Sequence, residues 1–502
     1  MDLMGTAIVP SDAAPCASEK ARLQLVLNLT DYAVVLGYLV AITLFGSWFA
    51  RFQKTTKDYF LTDRSVPWWA ICFTIVATET STLTFIGVPA LAYGGNLTFL
   101  QLALGYVVGR LLVSALFIPA YFRGELFTSY ELLQRRFGAP VKTVGAVIFL
   151  VTRSLADGIR LFATALVIAV VTRVPVSITV VLLGVAMIVY TVRGGVSAVI
   201  WTDVVQMFVY LAGALVVLAA LLARIPGGIH GVLASAAAAH KLVVLDFSTD
   251  PQAVYTFWAG LIGGLALTLA THGTDQYLVQ RLLSARSARQ ASLGLVLSGV
   301  IVFAQFALFL FIGLGLFAFY QAAPSPPAVA RNDEILPFFI VSSLVGGPAG
   351  FIVAAIVAAA LSPSLNAMAA TTVNDFYRPY LNPGADEATL LRVSRRATMA
   401  WGVVQLAVAL GAQGMDRSVL DAGLAVLSLA SGPVLGAFLL GILSKSVDGR
   451  ATMVGMVTGA LVLVGLWWTG AVAWTWYAFI GATVTVLVAL ALAQAPKIAR
   501  AV

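Results

Sequence analysis

The sequence predicts an all-α membrane protein with thirteen transmembrane helices, and three observations carry that expectation. Of the 502 residues, 60% are hydrophobic and only 10% charged, whereas an ordinary soluble domain is about 25% charged. Apolar runs long enough to cross a bilayer, about 20 residues each, recur thirteen times along the chain. With the first helix exported and sides alternating after each span, 20 of the 30 lysines and arginines fall on one side and 7 on the other. The basic side is the cytoplasmic one, so the protein is expected in the inner or plasma membrane with its N-terminus outside and its C-terminus in the cytoplasm.

Residues 1–30 read as an extracytoplasmic tail, since MDLMGTAIVPSDAAPCASEK lacks the basic flank and apolar core of a cleaved leader. The runs then fall near 31–51, 67–94, 98–119, 143–170, 174–192, 200–223, 254–278, 291–320, 348–376, 397–414, 418–443, 451–469 and 472–493. The connection 224–253 is long enough for a short surface helix. In 321–347 a Pro-rich turn precedes a second short helix, DEILPFFIVSSL.

The net charge of +8 is scattered among short loops, which signals topology and not a nucleic-acid surface. Cys16 and Cys72 exclude a disulfide framework, and His230, His240 and His272 have no metal-ligand spacing. No nucleophile, metal cluster or paired catalytic base stands at either interface, so the chain does not read as an enzyme. No organic cofactor and no obligate protein partner are indicated; the expected partners are a small-molecule solute and the lipid itself.

Function is written in the polar residues that the spans retain. In VATETSTLTFIGVPA, residues 76–90, Glu79 stands among Thr78, Thr80, Ser81 and Thr82. An acid at the centre of a membrane helix costs about 2.5–3.5 kcal/mol on insertion scales. Such a stretch is tolerated where a helix breaks and its freed backbone lines a cavity; a continuous helix whose hydroxyls bond back to their own carbonyls is the alternative. In LVTRSLADGIRLF, Arg153, Asp157 and Arg160 share one helix face. They either form an internal ion pair with a spare arginine or contact an anionic or carboxylate-bearing solute. Gly194–Gly195 predicts a tight turn, followed by Asp203 and Gln206 at i, i+3. THGTDQYLVQR, 271–281, reads as a gate or loop-anchoring network through Asp275 and Arg281. AAALSPSLNAMAATTVNDFY, 358–377, is a small-residue helix in which Pro363 frees a carbonyl about one turn earlier.

Taken in order, KDYFLTDRSVPWW, VATETSTLTFIGVPALAYGG, GGVSAVIWTDVVQ, GTDQYLVQR, LNAMAATTVNDFYRP and SGPVLGAFLLGIL resemble the sodium/solute symporter family, whose members carry sugars, proline, iodide, monocarboxylates and sialic acid. The resemblance covers about residues 30–490. It implies a LeuT-like fold of two inverted five-helix repeats, 67–223 and 254–443, joined by an outer loop at 224–253. One helix with its inner loop, 31–66, precedes them, and two C-terminal helices with a cytoplasmic tail, 444–502, follow. It implies cation-coupled symport of a small organic solute by alternating access. The family's sodium site would use the Ala77 and Thr80 carbonyls with Ile356 opposite, but its two usual hydroxyls fall on Ala359 and Ala360. A further ion site of some members maps onto Asp203 and Ser362, with Pro363 replacing its other serine. Glu79 stands where sugar carriers have a neutral amide and Thr84 replaces another, which argues against a sugar. Solute contacts are expected from Thr78, Glu79, Thr84, Arg153, Arg160, His272 and Ser431. Glu79 is expected either to ligate sodium or to exchange a proton, so Na+ and H+ both stand as coupling ions; a permanent ion pair with Arg153 or Arg160, a uniporter, and a receptor or sensor that binds without transporting, are the alternatives.

Overall fold

A computed structural model describes residues 27–124, 126–323, 329, 331–344, 348–412 and 419–498. Cys16, Lys20, Arg22, Arg417, Arg500 and most of the expected tail lie outside the described residues. Among the described residues the regular structure is helical, with one isolated bridge between Val66 and Ala285. Eight helices among the described residues are long and apolar enough to cross a membrane, or nine if one bent pair counts as a span.

The first helix, α1 (Leu29–Trp48), is capped by Asn28, whose side chain accepts from the Asp31 N–H. Its mostly exposed apolar surface suits lipid contact. The expected second span is two helices, α2 (Trp68–Glu79) and α3 (Thr82–Gly94), bent by 64° at Thr80–Ser81. The break anticipated from the hydroxyl cluster is therefore present. So is part of its alternative, because Thr78 and Thr80 donate back to the Thr74 and Val76 carbonyls at 2.6 and 2.9 Å.

Next come α4 (Leu100–Tyr121), α5 (Ala139–Thr172) and α6 (Val176–Leu222). At 47 residues α6 would be about 70 Å long if straight, more than twice the hydrocarbon thickness. It is not straight: Gly195 has φ +57° and ψ −152°, which separates the two runs expected at 174–192 and 200–223. The short surface helix of the following connection is Gly228–Ala238.

After a π-helical turn at Ala259–Gly263, α7 (Gly264–Gly273) and α8 (Gln276–Leu283) meet at a second break, Thr274–Asp275. The long α9 (Ala288–Gln321) packs against both halves of the first broken span and against α4. A short helix at Ile335–Ser343 matches the second anticipated one. A third break, Leu361–Ser364, divides α10 (Pro348–Ala360) from α11 (Leu365–Thr371) at Pro363. Four further helices complete the chain: α12 (Glu387–Gly411), α13 (Val419–Leu443), α14 (Gly449–Thr469) and α15 (Tyr477–Ile498).

The third break does not leave its carbonyls bare, as an apolar surround requires. The Tyr190 hydroxyl donates to the Leu361 carbonyl, which the Gln206 amide also reaches at 3.3 Å. The Tyr277 hydroxyl donates to the Ser362 carbonyl at 2.6 Å.

A methyl at Gly195 would meet the Tyr59 carbonyl oxygen at 2.6 Å in a conformation L-residues rarely adopt. Gly195→Ala should therefore destabilise the fold by at least about 1–2 kcal/mol, seen as a lower melting temperature in detergent, whereas Gly37→Ala, which meets nothing within 4 Å, should leave it unchanged apart from the intrinsic preference of a helix for alanine.

Candidate functional site

Glu79 is the last residue of α2, so its carboxylate projects beside the unwound segment. Two groups hold it. Arg110, fully buried on α4, donates to Oε2, and the His272 Nε2 lies 3.2 Å from Oε1. The alternative of a pairing with Arg153 or Arg160 is not what forms: those two face Asp157 and Asp275, and the partner is an arginine whose helix reads as plain lipid-spanning sequence. Small residues make the approach possible. A methyl at Gly109 would lie 2.6 Å from Thr268 Cβ, and one at Gly105 2.2 Å from the Gly260 carbonyl oxygen, so α4 sits close enough to α7 for Arg110 and His272 to meet one carboxylate.

The break frees the carbonyls expected to hold sodium. In a continuous helix the Ser81 and Thr84 N–H groups would bond to Ala77 and Thr80. Instead Ser81 N–H reaches the Thr84 hydroxyl at 3.3 Å and Thr84 N–H the Ser81 hydroxyl at 3.4 Å, a reciprocal capping box. Opposite, the Ile356 carbonyl accepts from the Thr82 hydroxyl at 3.0 Å. Thr82 went unnoticed as a candidate, yet it supplies an oxygen at the place where Ala359 and Ala360 supply none. The donor set fits a cation that prefers carbonyl and hydroxyl oxygens.

A central cavity of about 140 Å³ adjoins the break and is lined by Thr78, Glu79, Thr84, Arg153, Arg160 and Tyr277 among others. Five of the seven expected solute contacts are therefore brought together. His272 is not: it is buried behind Glu79, with Nδ1 3.0 Å from the Thr271 hydroxyl. Ser431 lies on a separate pocket of about 40 Å³ with Thr152, Thr271 and Asp275. Towards the end of the bundle that bears Asn96, a vestibule of about 630 Å³ shares Leu83 and Phe99 with the cavity.

The charges on α5 form the internal pairing, with Arg160 the more loosely held arginine. Arg153 Nη2 is 2.9 Å from Asp275 and its Nη1 3.4 Å from Asp157, while Arg160 Nη2 stands 4.0 Å from Asp157 and is 18% exposed. The network at 271–281 ties this segment to its neighbours: Asp275 holds Arg153, and Arg281 holds Asp203 at 3.0 Å. The Arg281 Nη2 also reaches the Ser362 hydroxyl at 3.2 Å, and its Nε the Thr74 hydroxyl at 3.0 Å. Asp203 and Ser362 are thus bridged by a guanidinium, where the resemblance placed a mobile ion.

Broken helices around a midplane cavity, with paired charges and freed carbonyls, define a secondary transporter. The family model for the sodium:solute symporter family matches residues 59–459, and the chain belongs to that family, one of carriers and not of enzymes. It is 32% identical to the human sodium/iodide cotransporter over 87% of this chain and 69% of that one. It is 31% identical to the human sodium-coupled monocarboxylate transporter 1, over 87% and 72% of the respective chains. The sodium-dependent multivitamin transporter of Oryctolagus cuniculus is likewise 31% identical, over 88% and 70%. Among solved structures, a Na+-coupled sialic acid symporter in a substrate-bound outward-open state superposes with TM-score 0.86 at 27% identity, over 93% of this chain and 98% of that one. Mhp1, a nucleobase-cation-symport-1 family transporter, shares the fold at TM-score 0.56 and 14% identity, over 87% and 95%.

Removing the Glu79 charge leaves a fully buried arginine without its counter-ion, a loss of about 3–5 kcal/mol. Glu79→Gln should lower the melting temperature, and Arg110→Met in the same protein should restore much of it; additive losses in that double-mutant cycle would show that the two side chains do not interact.

Proposed function

We propose that this chain is a multi-pass carrier of the inner or plasma membrane that moves a small carboxylate-bearing solute inward with sodium. The supporting observation is Arg160, a cavity-wall cation whose nearest carboxylate stands 4.0 Å away, while the other cavity charges are held in closer pairs. A guanidinium edge recognises a carboxylate through two parallel hydrogen bonds, and the cavity volume suits a solute of few non-hydrogen atoms. Monocarboxylate carriers among the relatives favour the same class.

Thirteen crossings support the mechanism, arranged as inverted repeats over 67–223 and 254–443 with flanking segments 31–66 and 444–502. The N-terminus lies outside, so the vestibule beside Asn96 opens to the exterior and solute passes Leu83 and Phe99 to reach Arg160. Sodium binds the Ala77, Thr80 and Ile356 carbonyls, with the Thr82 hydroxyl turning from Ile356 to complete the shell. Its charge offsets the charge the carboxylate brings into a cavity of otherwise balanced ions.

Proton coupling through Glu79 is the second reading, favoured by Ala359 and Ala360. The arginine and histidine that hold Glu79 would have to release it before it could exchange a proton with the cavity.

Uptake of labelled lactate, pyruvate and nicotinate into proteoliposomes, with sodium and proton gradients imposed separately, tests both. Sodium-driven accumulation is expected. A proton gradient that drives it without sodium establishes the second reading, and binding without accumulation under either gradient identifies a receptor. Thr82→Val should raise the sodium concentration for half-maximal uptake several-fold, and Ala359→Ser should lower it by adding a hydroxyl; an unchanged sodium dependence in both variants contradicts the site.

A further inference from the structure

Arg153 is the most completely used cation of the cavity, yet it is not fully used. Its Nη1 faces Asp157 at 3.4 Å and its Nη2 faces Asp275 at 2.9 Å, but its buried Nε–H has no hydrogen-bond partner. Nε and Nη2 form one edge of the guanidinium, the edge that binds both oxygens of a carboxylate side by side. Asp275 takes only half of it.

Asp275 is built to leave. It stands in the break between α7 and α8, with its Oδ1 capping α8 through the Tyr277 N–H at 2.9 Å and its Oδ2 on Arg153. The bond to Arg153 also crosses a partition. Arg153 lines the central cavity, Asp275 lines the 40 Å³ pocket beyond it, and Thr271 borders both. The bond therefore lies where the two spaces meet.

We propose that Asp275 is an internal stand-in for the solute's carboxylate. A solute first met at Arg160 passes along α5 to Arg153, seven residues and about 10 Å closer to the cytoplasmic end. There it takes the Nε and Nη2 edge with two oxygens, displaces Asp275, and so uncouples α8 from α5, which opens both the wall between cavity and pocket and the pocket's cytoplasmic mouth. The exchange replaces one hydrogen bond with two and satisfies the buried Nε–H, so a carboxylate unlatches the wall where a neutral solute of equal size does not. Asp275 is thereby a specificity-determining residue, and the bond it releases links solute recognition to cytoplasmic access. This rests on the carboxylate assignment and membrane orientation proposed above.

Asparagine caps helices as well as aspartate does, so Asp275→Asn removes the negative charge that faces Arg153 and keeps the α8 cap. Thr152, on the small pocket, serves as a reporter when replaced by cysteine in a chain whose own Cys16 and Cys72 are changed to Ala. In proteoliposomes, the rate at which a membrane-impermeant thiol reagent labels Thr152→Cys from the cytoplasmic side is read with sodium, with and without lactate, while lactate uptake is followed in the same vesicles. Labelling should be slow without lactate and several-fold faster with it. Asp275→Asn should bring the lactate-free rate up to the lactate-bound one and abolish the dependence on lactate. A lactate-free rate unchanged by Asp275→Asn overturns the latch. Carboxylate uptake that persists with labelling unresponsive to lactate overturns the displacement step alone. Absence of both uptake and lactate response for lactate, pyruvate and nicotinate overturns the carboxylate assignment and the displacement with it.

Discussion

Everything in this molecule depends on how a polypeptide can stop being a helix in the middle of a bilayer. Each backbone group abandoned there costs several kcal/mol unless something answers it. At Thr80–Ser81 the answer is local: Ser81 and Thr84 exchange side-chain and backbone bonds, which lets the chain turn through 64°. The donors are thereby satisfied and the Ala77 and Thr80 carbonyls are released. An unmet donor would destabilise the break, whereas carbonyls without a helical partner are the kind of oxygen a cation takes. At Leu361–Ser364 the released carbonyls are met by Tyr190, Gln206 and Tyr277 instead, so the third break is held as a fixed element and the first remains available.

The charges follow the same economy of pairing. Glu79, Arg110, Asp203 and Arg281 would each be prohibitive alone in a low-dielectric interior, and each has its opposite within bonding distance. Two helices brought together by such a pair are also held in register, so the Glu79–Arg110 contact fixes the end of α2 against α4. The Tyr277 ring lies under both the Arg153 and Arg281 guanidiniums, at 4.5 and 4.4 Å, which places the cavity-lining and Asp203-facing networks against one aromatic ring.

Much of this could be read from the chain alone, because certain residues make sense in only one setting. Hydroxyls around an intramembrane acid announced the first break, Gly194–Gly195 the kink in α6, and Pro363 the third break. The stripe Arg153, Asp157, Arg160 announced its own local pairing, since residues three and four apart are neighbours on a helix. What stayed hidden were contacts between distant parts of the chain. Arg110 sits in an apolar helix with no local partner to explain it, and nothing in LQLALGYVVGRLLVS says which acid it meets. The signal was present in Gly105 and Gly109, spaced to let another helix approach, and in the lone arginine itself, which a lipid-facing helix would not keep. Thr82 was overlooked because its importance lies in the Ile356 carbonyl, more than 270 positions away, which periodicity cannot reach.

The central claim is that the first break is a cation site whose open carbonyls are the ligands. Hydrogen–deuterium exchange of the purified protein in matched sodium and choline solutions, resolved to peptides covering 77–85 and 354–364, tests it most directly. Sodium should slow exchange in both segments together, and the effect should vanish in potassium. Equal exchange in saturating sodium and in choline would mean that the break binds no sodium and is only a structural bend.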